Sequence, residues 1–434
     1  MRHIRHLLML VVLLVSTGAA HDYIPGAKQS APILLKGGTL YTVSGGVLPN
    51  TDLLFDNGRI TQIAPTITPP NGAEVIDVTG QYVYPGMING QTQIGLVEVG
   101  SVRGSNDNNE IGRNNADLRA WVAYNPDSEI IPTVRSNGVL TCLVVPGGAL
   151  LQGRSSLMNL DGWTREDAAE KPVVALHMTW PAVAIVDAWW MEKSAEEQKK
   201  DMDENRAAIG RLFEDARAYW LAKQADPRIK IDSRWEAMLP IFTRELPVII
   251  YADDYRQIDE AVAFSKKHGF RMILSGGKEA WKASELLKLN DIPVVVAPTT
   301  SLPMRHDDDY DLAYRIPGLI AKAGLKFCFG TFDSWSARNL PFQAGNACAY
   351  GLDKETALRA ITLSPAEIFG VEKDLGSLDV GKKATLIVSK GDILDPLTHG
   401  VTLAFIEGRK VDLDNKHKEL YRKYDAKHTE IPGK

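Results

Sequence analysis

The chain has 434 residues, 44% of them apolar and 24% charged, which is ordinary globular composition and argues against disorder or a fibrous protein. Lys and Arg total 49 against 54 Asp and Glu, for a formal net charge of -5, so the strongly basic footprint of a nucleic-acid binder is missing. Nine histidines and three cysteines leave few strong metal ligands, and only His177, His268 and His306 fall in the middle of the chain.

Residues 1–20 carry a basic start (Arg2, Arg5), an apolar run from Leu7 to Val15 and small residues at Thr17 to Ala20. This is the pattern of a secretory leader, and the run is too short to span a bilayer. The expectation is an exported protein, periplasmic or secreted, with no membrane attachment after cleavage. No CxxC spacing occurs, and Cys142, Cys328 and Cys348 read as buried thiols.

From Ile33 onward, short apolar runs alternate with turn residues. Asn57-Gly58 between two such runs predicts a tight hairpin. Residues 21–84 therefore form the first part of a small β domain. At Pro85-Gly86 the pattern changes. Continuous apolar runs (Val139 to Val145, Val173 to Met178, Pro247 to Tyr251, Arg271 to Leu274, Pro293 to Ala297, Lys326 to Phe329) alternate with helical stretches such as Arg256 to His268. That alternation predicts a parallel sheet covered on both faces, and residues 85–373 suit a (β/α)8 barrel. Strand four is hard to place between Leu157 and Pro247, so an irregular barrel is expected there; Trp180, Trp189 and Trp190 in this stretch are expected to pack in the core. Strand patterns return over 374–413, giving a composite β-sandwich domain built from both chain ends. A charged tail, 414–434, follows.

Several segments resemble the amidohydrolase superfamily, most of all its exported, imidazolonepropionase-like branch. They are Leu53-Leu54-Phe55-Asp56-Asn57-Gly58-Arg59-Ile60, the stretch Tyr84 to Gly95, Ala360-Ile361-Thr362-Leu363-Ser364-Pro365-Ala366, and Gly376 to Lys382. The resemblance implies hydrolysis of C–N bonds in small or cyclic amides, with one or two divalent metals such as zinc at the C-terminal mouth of the barrel. It also implies an HxH pair on the first strand, one His each on strands five and six, and an Asp after strand eight.

The matched positions depart from that pattern. The HxH pair is replaced by Gln91 and Gln93, the strand-five His by Tyr251 and the strand-six His by Ser275. Phe332 takes the place of the Asp, with Asp333 one residue late. Amide and hydroxyl oxygens are poor substitutes for imidazole on zinc. No metal or other cofactor is therefore expected, and metal-dependent hydrolysis should be weak or absent. Gln91, Gln93, Tyr251, Asp253, Ser275, Phe332 and Arg338 are pocket candidates, and Asp333 is the candidate acid–base. An acidic loop from His306 to Asp311 reads as solvated rather than as a calcium site. Two functional readings stand: a hydrolase of small C–N substrates with an unusual centre, or a non-catalytic binder of a small molecule. The second extends to a homo-oligomer or a partner subunit of an intact amidohydrolase.

Overall fold

The computed structural model describes residues 24–187 and 189–429; the expected leader lies outside them. The chain begins with β1 (Ile33–Tyr41), β2 (Val47–Asp56), β3 (Arg59–Ala64), β4 (Glu74–Asp77) and β5 (Tyr82–Pro85). The β2–β3 hairpin turns on Asn57 and Gly58, with φ of 50° and 77°. Two consecutive left-handed residues make the tight turn that matches strand twist, which is why Asn-Gly stands there.

Ten further strands follow: β6 (Met87–Thr92), β7 (Val139–Val144), β8 (Leu151–Arg154), β9 (Ser156–Asn159), β10 (Ala169–Lys171), β11 (Leu176–Thr179), β12 (Val248–Ala252), β13 (Met272–Gly276), β14 (Val294–Val296) and β15 (Phe327–Phe329). They form a sheet of order β10-β9-β7-β6 and a second of order β15-β14-β13-β12-β11-β8. From β11 to β15 all pairings are parallel. The sheets are nevertheless mixed, because β8 and β9 run antiparallel to β11 and β7. The reason is local. Only residues 145–155, β8 included, separate β7 from its partner β9, short of the crossover of about a dozen residues or more that a parallel return needs. β8 and β9 adjoin at Ser155, so one returning stretch of chain contributes to both sheets. On the far flank, the Thr331 and Phe332 amides donate to the Gln91 carbonyl at 3.0 and 2.8 Å, which sets the end of β15 beside β6.

Side chains alternate across these strands. Ile249, Ile273, Val295 and Cys328 pack on one face with Ile88 and Leu143. Leu176, Val248, Leu274 and Phe327 pack on the other, with Ile209 and Phe213 of helix Ala195–Ala225 and Ile258 and Val262 of helix Tyr255–His268. Both helices begin with a capping box, Ser194 with Glu197 and Asp254 with Gln257. Trp180 is buried and donates to Glu260 at 2.8 Å. Trp189 and Trp190 correct the core expectation: they are 97% and 58% exposed.

The chain then returns through β16 (Leu386–Ser389), β17 (Val401–Ile406) and β18 (Arg409–Lys410). These join the first strands in an eight-stranded sheet of order β18-β17-β16-β5-β1-β2-β3, with β4 on β1. Phe55 and Phe405, from opposite ends of the sequence, meet edge to face at 5.0 Å in its core. Asp161 fastens this sheet to the β6–β9 region. Its fully buried carboxylate pairs with Arg135 at 2.9 Å and Arg409 at 2.7 Å, and accepts from the Gly26 amide at 3.1 Å. No helix among the described residues is long and apolar enough to cross a membrane.

Candidate functional site

The C-terminal ends of parallel strands are where loops and side chains converge on a pocket. Register places Thr179 of β11, Tyr251 of β12 and Ser275 of β13 level with one another. At one end of this row, Gln152 of β8 donates to Thr179 at 2.9 Å. At the other, the Ser275 hydroxyl donates to the Gln91 amide oxygen at 2.6 Å. The result is a row of neutral hydrogen-bonding groups.

Gln91 reaches this row because β6 lies hard against β15. A Cβ on Gly90 would sit 2.7 Å from Cys328 Sγ and 2.8 Å from the Phe329 carbonyl, so only glycine fits. Asn89, fully buried, donates to Thr331 Oγ1 at 2.7 Å and fixes the same junction. Just beyond β15, Phe332 takes a left-handed φ of 67°, rare for a large side chain. Its ring meets Tyr251 edge to face at 6.1 Å.

Among the described residues, Asp253 supplies the carboxylate bonded to this group. Its Oδ2 accepts from the Tyr251 hydroxyl at 2.7 Å, and its Oδ1 accepts from the Lys278 amide at 3.3 Å. Burial first, and then the Asp253 charge, push the Tyr251 pKa up, so this phenol stays protonated as a donor. Two residues before Thr179 on β11, His177 is buried and its Nε2 has no hydrogen-bond partner among the described residues. Burial lowers its pKa to about 3, so the ring is neutral.

Gln91, Ser275, Tyr251, Asp253 and Phe332 are thus brought together. Gln93, beyond the end of β6, instead lines a separate open cleft of about 730 Å³ with Arg103, Asn106 and Glu110. The exposed Asp333 carboxylate accepts from the Ser336 amide at 2.6 Å, as a cap on the next turn. Arg338 lies over the Trp335 ring at 5.9 Å, and its carbonyl accepts from Asn137. In the acidic loop, Asp308 accepts from the Met304 and Arg305 amides, and Asp309 and Asp311 pair with Arg315.

Sequence reasoning missed Gln152 and Thr179. Thr179 was within reach, since it ends an apolar run as Tyr251 does. Gln152 was not, because it enters on the antiparallel β8.

Among the described residues, no group of three or more His, Cys, Asp or Glu side chains is placed to hold a metal ion. The row offers amide and hydroxyl oxygens, and the Gln91 oxygen already accepts a hydrogen bond from Ser275. Zinc favours imidazole, thiolate or carboxylate, so these residues do not fit an imidazole-held zinc.

Residues 313–413 match the amidohydrolase family. Adenine deaminase 3 of Rhizobium meliloti (strain 1021) is 22% identical over 416 residues, covering 89% of this chain. Amidohydrolase tasK of Hapsidospora irregularis is 21% identical over 388 residues, covering 79%. The chain spans only 59% and 38% of the lengths of these two relatives. Among solved structures, an amidohydrolase from Thermotoga maritima MSB8 superposes with a TM-score of 0.78 at 24% identity, over 88% of this chain and 99% of that one. Molinate hydrolase superposes with a TM-score of 0.54 at 16% identity, over 90% and 96%. The α/β fold is shared with these solved structures, and the segment 313–413 resembles the amidohydrolase family.

Proposed function

We propose that this protein is an exported amidohydrolase-like chain of the imidazolonepropionase-like branch that binds a small amide-bearing molecule without metal-dependent hydrolysis. In this reading, residues 85–373 form a (β/α)8 barrel with β8–β9 as its irregular member, and 21–84 with 374–413 form the composite β domain. One observation carries the reading. Gln91 and Ser275, which stand where the resemblance expects histidines, are hydrogen-bonded to each other at 2.6 Å. Two side chains that satisfy one another need no cation between them. The Tyr251–Asp253 pair and the Gln152–Thr179 pair supply donors and acceptors for a neutral ligand with an amide edge. A natural setting is as the ligand-holding, non-catalytic subunit beside an intact relative.

The test is metal analysis of untagged protein, together with assays on cyclic amides and dipeptides, with and without added zinc or manganese. The expected result is substoichiometric metal and no metal-stimulated turnover. Stoichiometric metal that is lost, with turnover, in Gln91→Ala or Asp253→Asn would overturn the proposal in favour of a hydrolase with oxygen ligands.

A further inference from the structure

The opposite end of the same strands has a different chemistry. A cavity of about 320 Å³ opens at the starts of β11 to β15, between Val174, Pro247, Met272 and Pro293. Lys171, Arg244, Arg271 and Lys326 all line it. We propose that this cavity binds a small oxyanion, a phosphate or carboxylate group, between Lys171 and Arg271.

The half-buried Lys171 ammonium donates to the Phe369 carbonyl at 2.7 Å and makes no ion pair among the described residues. Arg271 donates through Nε to the Arg244 carbonyl at 2.8 Å and through Nη2 to the Glu245 carbonyl at 2.9 Å, likewise with no ion pair. Neutral backbone oxygens therefore fix both side chains without a direct ion pair among the described residues, and Glu372 offsets part of the Lys171 charge from farther away. Of the acids on the wall, Glu367 is taken by Lys326 at 3.2 Å and by Arg359 at 2.5 Å. Glu245 and Asp291 stand on the exposed rim, where Arg271 is exposed too, and neither makes an ion pair with Lys171 or Arg271. After burial, the charge that most depresses the Lys171 pKa is Arg271, so the two cations oppose each other. An oxyanion between them relieves that repulsion and accepts their remaining N–H groups. The volume sits at the small end of ligand pockets and suits a compact anion rather than a nucleotide.

The test is isothermal titration and thermal unfolding of the full chain with inorganic phosphate and, separately, citrate, at an ionic strength held constant with sodium chloride. Saturable binding of at least one is expected, weakened about tenfold or more in Lys171→Met and in Arg271→Gln. Lys171→Arg, which keeps the charge, should retain it and so controls for misfolding. Tighter phosphate binding assigns a phosphoryl ligand, and tighter citrate binding a carboxylate. Phosphate and citrate both acting no more strongly than chloride, or equal binding by the wild type and both charge-removing variants, would overturn the site.

Discussion

Two interior places bring polar side chains together from distant parts of the chain, and they do so with opposite chemistry. At the seam, Asp161 takes two arginines and a backbone amide in a fully charged cluster. In the Gln152-to-Gln91 row, every group is neutral and Asp253 alone adds a charge. Buried charges that are fully paired are costly to break, whereas neutral pairs exchange readily with water or ligand. The seam is therefore built to hold two sheets in register, and the row to be opened.

The largest expected effect breaks the seam. Asp161→Ala removes the carboxylate that Arg135 and Arg409 share and should cost about 3–5 kcal/mol, because charges stay buried without it. Ser275→Ala in the row should cost only about 0.5–1.5 kcal/mol. Urea denaturation of the two variants measures both. Equal losses would mean that the contrast between charged seam and neutral row is wrong.

His177 gives the next effect, and it is a pH effect. Its pKa falls from 6.5 to about 3 on folding. The unfolded chain therefore binds the extra proton between these values, and stability drops as pH falls below about 6.5. The slope from one such group is about 1.4 kcal/mol per pH unit. His177→Leu should be flatter than the wild type by that amount between about pH 6 and pH 4 in chemical denaturation. Matching slopes would mean that His177 finds a partner in the folded state.

Part of the fold and of the row was legible in the sequence, for physical reasons that differ by element, whereas the Asp161 seam was not. The Asn57-Gly58 hairpin and the parallel run from β11 to β15 follow from local turn chemistry and from apolar runs with no polar alternation. Gln91, Tyr251 and Ser275 were found because a family pattern marked their positions. The antiparallel β8–β9 return was not legible, because direction depends on the short connection and not on the strand residues themselves. Asp333 shows the limit of register arguments. One residue past a left-handed Phe332, its carboxylate caps Ser336. The exposure of Trp189 and Trp190 was equally hidden, since composition assigns tryptophan to cores and only the path of the chain decides.

A sharper test of the row is Gln91→Leu. It removes the acceptor for Ser275 and should cost about 1 kcal/mol, since the hydroxyl loses one half-buried bond. The variant should bind an amide ligand less tightly than wild type if Gln91 reads that ligand, as titration calorimetry will measure. Unchanged affinity would move the ligand away from Gln91, toward Thr179 and Gln152.

The smallest effect is expected at Tyr251→Phe. The phenol is half-buried, and water can replace it on Asp253, so the stability loss should stay below about 1 kcal/mol. The informative readout is ligand selectivity. With the hydroxyl present, Asp253 Oδ2 is already occupied by a donor at 2.7 Å. Without it, the carboxylate turns an unpaired oxygen toward the row, and ligands carrying an N–H donor or a positive charge should gain affinity over neutral acceptors. A gain for cationic analogues in the variant would show that Tyr251 keeps the row effectively neutral. An equal loss for all analogues would instead make the phenol itself a ligand contact, and would place Asp253 behind it as the group that orients it.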